Sequence, residues 1–136
     1  MGPWAGRDAH RSWEWLSAEA FDELVQEALS QLPERFLRRL DNVAVLVADW
    51  PTRDDLRRAG VPRGATLFGL YEGVPLTERT SNYGLVPPDK ITLFRGPLLT
   101  HFRDRESLRD QIRRTVIHEI AHHFGMDEDE IRRLGY

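Results

Sequence analysis

The stretch that decides the reading is His118-Glu119-Ile120-Ala121-His122-His123-Phe124-Gly125-Met126-Asp127-Glu128, where three of the five histidines of the chain fall within six residues. On an α-helix, at about 100° per residue, His118 and His122 project about 40° apart and one turn along the axis. That spacing lets two imidazoles reach one tetrahedral zinc ion. Glu119 sits beside them without being a ligand. From there its carboxylate is placed to hold a water at the metal, take its proton during attack on a carbonyl, and pass that proton to a leaving amine. The surroundings fit a helix over 105–124, with Asp104 as N-cap and Gly125 at the left-handed position that ends helices. Ile112, Val116, Ile120 and Phe124 form an apolar row about 120° to 200° around from the histidines, which predicts that the helix buries a different face and leaves the histidines to line a cleft.

A site of this kind needs a third protein ligand, and only fourteen residues follow His122. That length rules out a glutamate on a separate helix twenty or more residues downstream, and leaves His123, Asp127, Glu128, Asp129 and Glu130. His123 points about 100° away from His122 on the same helix. Gly125 turns the chain and can fold the residue three positions later back toward the metal, which favours Glu128 and gives the pattern HxxGxxE. Asp127 is the second choice. The acidic run is also what the first turn of a helix favours, through its dipole.

Outward from this motif the chain reads as a mixture of helices and short strands. Ser17 caps a helix whose Phe21, Leu24, Val25, Ala28, Leu29 and Leu32 form one buried stripe, closed by Pro33. Valine-rich 43–48 reads as a buried strand, 51–59 as a short polar helix ended by Gly60 and Pro62, and 66–71 as a second strand. The loop 74–88, rich in proline, is long enough to be a functional or lid segment. A third strand spans 91–94, with Gly96 and Pro97 as its stop, and a short acidic helix over 127–134 ends the chain.

The chain has 136 residues, 40% apolar and 30% charged, which suits one compact soluble domain, with 1–16 as a polar leader and 17–136 as the domain. No run approaches the ~20 apolar residues that cross a bilayer, so no membrane partner is expected. There is no cysteine, which excludes disulfide frameworks, thiol nucleophiles and cysteine-based metal sites. A formal net charge of -3 gives no long-range attraction to polyanions, and nucleic acid is not expected as a partner. The leader has no signal-peptide pattern, so a cytoplasmic location is the expectation. Its Trp4, Trp13 and Trp15 are expected to pack onto the domain rather than to contact a partner.

The HExxH stretch resembles the zincin metallopeptidases, and more closely a family of small bacterial minimal zincins with the signature HExxHxxGxxD. The resemblance extends to Gly69-Leu70-Tyr71-Glu72-Gly73-Val74-Pro75-Leu76-Thr77-Glu78-Arg79, to Ile91-Thr92-Leu93-Phe94-Arg95-Gly96-Pro97-Leu98 and to the closing Leu134-Gly135-Tyr136. It covers roughly Leu40 to the end. It implies a single small α+β zincin-like domain, a short mixed sheet packed on an active-site helix. It also implies one zinc ion held by His118, His122 and the residue aligned with the family's aspartate, here Glu128, with Glu119 catalytic. Metzincins place a methionine beneath the metal. No methionine follows Glu128 here, which leaves Tyr136 to form that floor or to donate into the site, unless it packs on the last helix. Asp127 and His123 are the other candidates for supporting the site.

The function expected is that of a zinc-dependent peptidase acting on a peptide or protein, with Glu119 as general base. An extended substrate would pair with a sheet edge beside the helix, for which 91–95 or the loop 74–88 are the available places. Two alternatives stand beside it: a zincin scaffold that binds peptides or proteins without hydrolysis, and a hydrolase of some other amide. The sequence leaves the oligomeric state open, a homodimer included.

Overall fold

The computed structural model describes residues 12–62, 64–73 and 89–136. Trp4 and the loop 74–88 lie outside them. Helix α1 (Ala18–Ser30) begins where Ser17 Oγ accepts the Ala20 N–H at 3.1 Å, and it buries Phe21, Leu24, Val25 and Ala28. After Pro33 come α2 (Glu34–Leu37), a 3-10 turn (Arg38–Asn42) and strand β1 (Val43–Ala48). Helix α3 (Arg53–Arg58) carries a reciprocal cap: Thr52 Oγ1 accepts from Asp55 N–H at 3.0 Å, and Asp55 Oδ2 accepts from Thr52 N–H at 2.9 Å. The Thr52 N–H, and after it the Thr52 hydroxyl and the Arg58 guanidinium, hold the Asp55 carboxyl below its usual range.

Strand β3 (Asp89–Phe94) is the centre of a three-stranded sheet, with β1 parallel on one side and β2 (Gly69–Glu72) antiparallel on the other. Ile91 faces Val45 in β1 and Tyr71 in β2. The expectation that 91–95 offers an open edge to a substrate is therefore corrected. Both sides of this strand are already bonded, in keeping with its fully buried Ile91, Leu93 and Phe94. The edge nearest the long helix that carries His118 and His122 belongs to β2. That strand also starts later than the 66–71 reading, because 66–68 remain irregular and only 69–72 enter the ladder.

β3 stops at Phe94, as read from Gly96 and Pro97, but these two residues lie in the first turn of a helix the sequence did not reveal, α4 (Arg95–His101). Proline fits there because the first N–H groups of a helix have no intrahelical acceptor. Gly96 has a separate cause: a Cβ would lie 2.3–2.6 Å from the ring of Trp50, which covers it. Arg95, 4% exposed, reaches Asp49 Oδ1 at 3.0 Å and Glu14 Oε2 at 3.2 Å, and its guanidinium lies 5.1 Å from the Trp13 ring. Trp15 Nε1 donates to the carbonyls of Leu99 and Phe102 at 3.0 and 3.2 Å. The described part of the leader thus packs on the core, as expected for its tryptophans.

The long helix α5 (Arg105–His123) starts at Asp104, whose Oδ1 accepts from Ser107 N–H at 2.8 Å. It buries Leu108, Ile112, Val116, Ile117 and Ile120 against α1 and the sheet. Phe124 does not continue this row. The helix ends one residue earlier, and the ring is 46% exposed under the Arg39 guanidinium, 4.2 Å from its centroid. Gly125, at φ 81°, reverses the chain while Met126 N–H bonds back to Ala121 O at 2.8 Å. The final helix α6 (Glu128–Arg133) then packs back through Ile131.

Candidate metal centre

His118 and His122 stand on α5 with their ring centroids 6.0 Å apart. The Gly125 reversal returns Glu128 to them as the first residue of α6. Glu128 Oε1 lies 2.8 Å from His122 Nε2 and 3.9 Å from His118 Nδ1. One ligand atom from each of the three residues lies within 4.8 Å of the other two. Zinc bonds of ~2.0–2.1 Å in a tetrahedron place ligand atoms roughly 3.3 Å apart. The donor set, two imidazoles and a carboxylate, therefore fits a zinc ion after small side-chain rotations. The His122–Glu128 hydrogen bond occupies the space between two of those donors.

The remaining candidates are placed differently. Asp127 does not join the group. Its Oδ1 accepts the Glu130 N–H at 2.8 Å, so it caps α6 and fixes the turn that presents Glu128. His123 points away from the other two rings and stacks on Tyr71, centroids 3.9 Å apart and planes 17° apart. The Tyr71 hydroxyl in turn donates to Asp89 Oδ2 at 2.8 Å. Tyr136 meets the site through its backbone rather than its phenol. Its carbonyl oxygen is 3.2 Å from His118 Nε2, while its ring packs edge-on to Phe36. With Nε2–H donating to that carbonyl, His118 presents the Nδ1 lone pair toward Glu128. A hydrogen bond of this kind fixes both the tautomer and the orientation of a ligating imidazole.

Glu119 lies on the side of α5 that faces β2, and its Oε1 accepts the Tyr71 N–H at 2.9 Å. Removal from water pushes its carboxyl above the usual range, against the opposing pull of the Tyr71 N–H and the two nearby imidazoles. The contact depends on Gly69. A Cβ at this position would come 2.7 Å from Thr115 Cγ2, so only glycine lets β2 approach α5 closely enough for Tyr71 to reach Glu119. Tyr71, Gly69 and the Tyr136 carbonyl are the participants that sequence reasoning did not single out. A backbone donor leaves no trace in side-chain identity. A glycine opening a strand is the one available signal, since it often marks a close approach of another element.

A cleft of about 490 Å³ runs along this face of α5, bounded by 66–69 on one side and by the histidine-bearing face of the helix on the other. A partly buried carboxylate next to three convergent side chains that could hold a metal ion, open to a cleft, is suited to metal-assisted hydrolysis. No helix among the described residues is long and apolar enough to cross a membrane.

A family model described as zincin-like metallopeptidase matches residues 40–136, a span that contains every residue of this centre. No curated protein matches the chain. Among solved structures, a conserved hypothetical protein from Thermo thermophilus is similar in fold. It is 24% identical, with a TM-score of 0.51, over 79% of this chain and 94% of that one.

Proposed function

The chain belongs to the zincin-like metallopeptidase family, and from that premise we propose that it is a zinc-dependent peptidase. The observation that carries this reading is the position of Glu119: a desolvated carboxylate, held on the edge strand by the Tyr71 N–H and set beside His118, His122 and Glu128. Those last three residues would hold the ion. Zinc, when bound, polarises a scissile carbonyl and lowers the pKa of a water molecule.

The chain's own groups supply the remainder. Tyr71 fixes one oxygen of Glu119, which leaves the other to orient the attacking water, accept its proton and deliver that proton to the departing amine nitrogen. Burial raises the basicity of this carboxylate toward the range in which a general base is effective near neutral pH. Gly69, two residues before Tyr71, presents its backbone on the same outer edge of β2, where an extended peptide can add as a further strand.

The test is zinc content and affinity of the wild type beside His118→Ala and Glu119→Gln, followed by a peptide-library cleavage screen. The expected result is zinc in wild type and Glu119→Gln, much less in His118→Ala, and cleavage by the zinc-loaded wild type alone. Zinc binding with no cleavage of any peptide would overturn the peptidase reading and favour a binding scaffold.

A further inference from the structure

The cleft beside the metal centre is asymmetric. It extends toward the start of α5, where Gln111, Arg114 and Thr115 line it opposite 66–69. Arg114 is the only lysine or arginine among the described residues that line this cleft. It stands four residues before His118, on the same face of α5 and about 6 Å along the axis. Its Nε donates to Asp110 Oδ2 at 3.0 Å, which anchors the guanidinium by one edge while the side chain as a whole stays 46% exposed. Asp110 also carries Arg113, whose Nη2 lies 2.6 Å from Oδ1. Arg113 lines a separate pocket with Asp104 and Glu106, and because it shares the Asp110 carboxylate, Asp110 neutralises Arg114 only in part.

For a peptide that pairs antiparallel to β2, the more stable of the two pairings, the direction of β2 says which half of a substrate meets that charge. Gly69 abuts Thr115 and Tyr71 abuts Glu119, so β2 runs along α5 in the same sense. A peptide added antiparallel to β2 runs against α5. Its N-terminal half then lies over the His122 end, and its C-terminal half over Thr115, Arg114 and Gln111. At about 3.3 Å per extended residue, the ~6 Å offset of Arg114 corresponds to about two residues beyond the scissile bond.

Resting on the peptidase reading above, we propose that Arg114 selects substrates bearing a carboxylate one to three residues on the C-terminal side of the cleaved bond. The outward edge of a guanidinium whose Nε is already held matches a carboxylate by charge and by paired N–H donors. That carboxylate is either an acidic side chain or the terminal carboxylate of a short peptide, since both present the same anion to the same site.

The experiment uses quenched fluorescent peptides of one sequence that differ only after the cleaved bond, with Glu, Gln or Lys at each of the three positions. Each is made with a free and with an amidated C-terminus. Zinc-loaded wild type, Arg114→Gln and Arg114→Glu are compared by kcat/KM, with zinc affinity measured for all three. We expect wild type to favour the anionic peptides about ten-fold or more, Arg114→Gln to lose that preference, and Arg114→Glu to favour lysine at the same position, with zinc affinity unchanged. Preference that disappears on amidation assigns the terminal carboxylate, and preference that survives it assigns the side chain. Wild type that cleaves all peptides equally, or an Arg114→Gln profile equal to wild type, overturns the role of Arg114 and leaves the peptidase reading intact. Failure of wild type to cleave any peptide overturns both.

Discussion

Gly69→Ala tests the close approach on which the position of Glu119 depends. A Cβ at residue 69 would lie 2.7 Å from Thr115 Cγ2, against about 3.4 Å for an ordinary contact, so one element must yield by about 0.7 Å. Thr115 is a poor candidate to yield, because it is buried, β-branched, and tied to Gln111 Nε2 through a 3.1 Å hydrogen bond. Retreat of β2 is the remaining relief. If the strand backs off by that amount, the Tyr71 N–H to Glu119 Oε1 distance grows from 2.9 Å to about 3.6 Å, beyond hydrogen-bond range. Overpacking and a lost charge-assisted bond together set the expected destabilisation at about 1–3 kcal/mol. If Glu119 is the general base proposed above, a displacement of this size costs on the order of ten- to a hundred-fold in kcat. Urea denaturation of the zinc-free protein measures the first effect, and cleavage of a library-derived peptide the second. Thr115→Ser removes Cγ2 but keeps the hydroxyl, so the double variant should recover most of both losses. Wild-type stability and rate in Gly69→Ala, or equal losses in the double variant, would refute the reasoning.

Three further outcomes follow from the same geometry. Glu119→Gln keeps an acceptor for Tyr71 but removes a carboxylate whose folded-state pKa lies above its ordinary 4.5. The unfolded chain ionises first as pH rises, so the wild type loses stability through that window and the full penalty stands above the raised folded value. In zinc-free protein the variant should therefore match the wild type below pH 4.5 and be the more stable at pH 8; equal midpoints at both pH values would contradict this. Glu128→Ala should lower zinc affinity by at least about a hundred-fold, since it removes one of the three side chains that could hold the ion, and chelator competition measures it. Asp127→Ala should cost about 0.5–2 kcal/mol as a lost helix cap and weaken zinc binding less than Glu128→Ala does, a ranking that reverses if Asp127 is itself the ligand.

What was legible in the sequence was what short-range periodicity encodes. The helix carrying His118, Glu119 and His122, its Asp104 cap and its Gly125 stop all rest on contacts within a few residues. So does the return of Glu128 after the turn. The central position of β3 was not legible, because a short apolar run has the same appearance in the middle of a sheet as at a protected edge. The helix over Arg95–His101 was hidden by Gly96 and Pro97, two residues that usually break regular structure. Here the proline occupies a first-turn position and the glycine makes room for Trp50. Tyr136 contributes a carbonyl rather than its phenol, which no reading of side-chain types distinguishes.

The candidate centre is assembled from parts of unequal stability, and this bears on how it would bind a metal. His118, Glu119 and His122 project from a nineteen-residue helix anchored by a row of fully buried side chains, so their mutual spacing is set by the core. Glu128 instead opens a six-residue helix, too short to be stable alone, whose one fully buried anchor is Ile131 and whose start is secured by Asp127. Glu128 is therefore the member of the group most free to adjust around an ion, and its hydrogen bond to His122 holds it near the two imidazoles. A ligand that binds the folded state adds its binding free energy to folding, and here that gain falls first on the weakest element. Zinc should thus order the C-terminal helix more than it orders α5. The side chains that dock α6, and not the histidines alone, are then determinants of metal affinity.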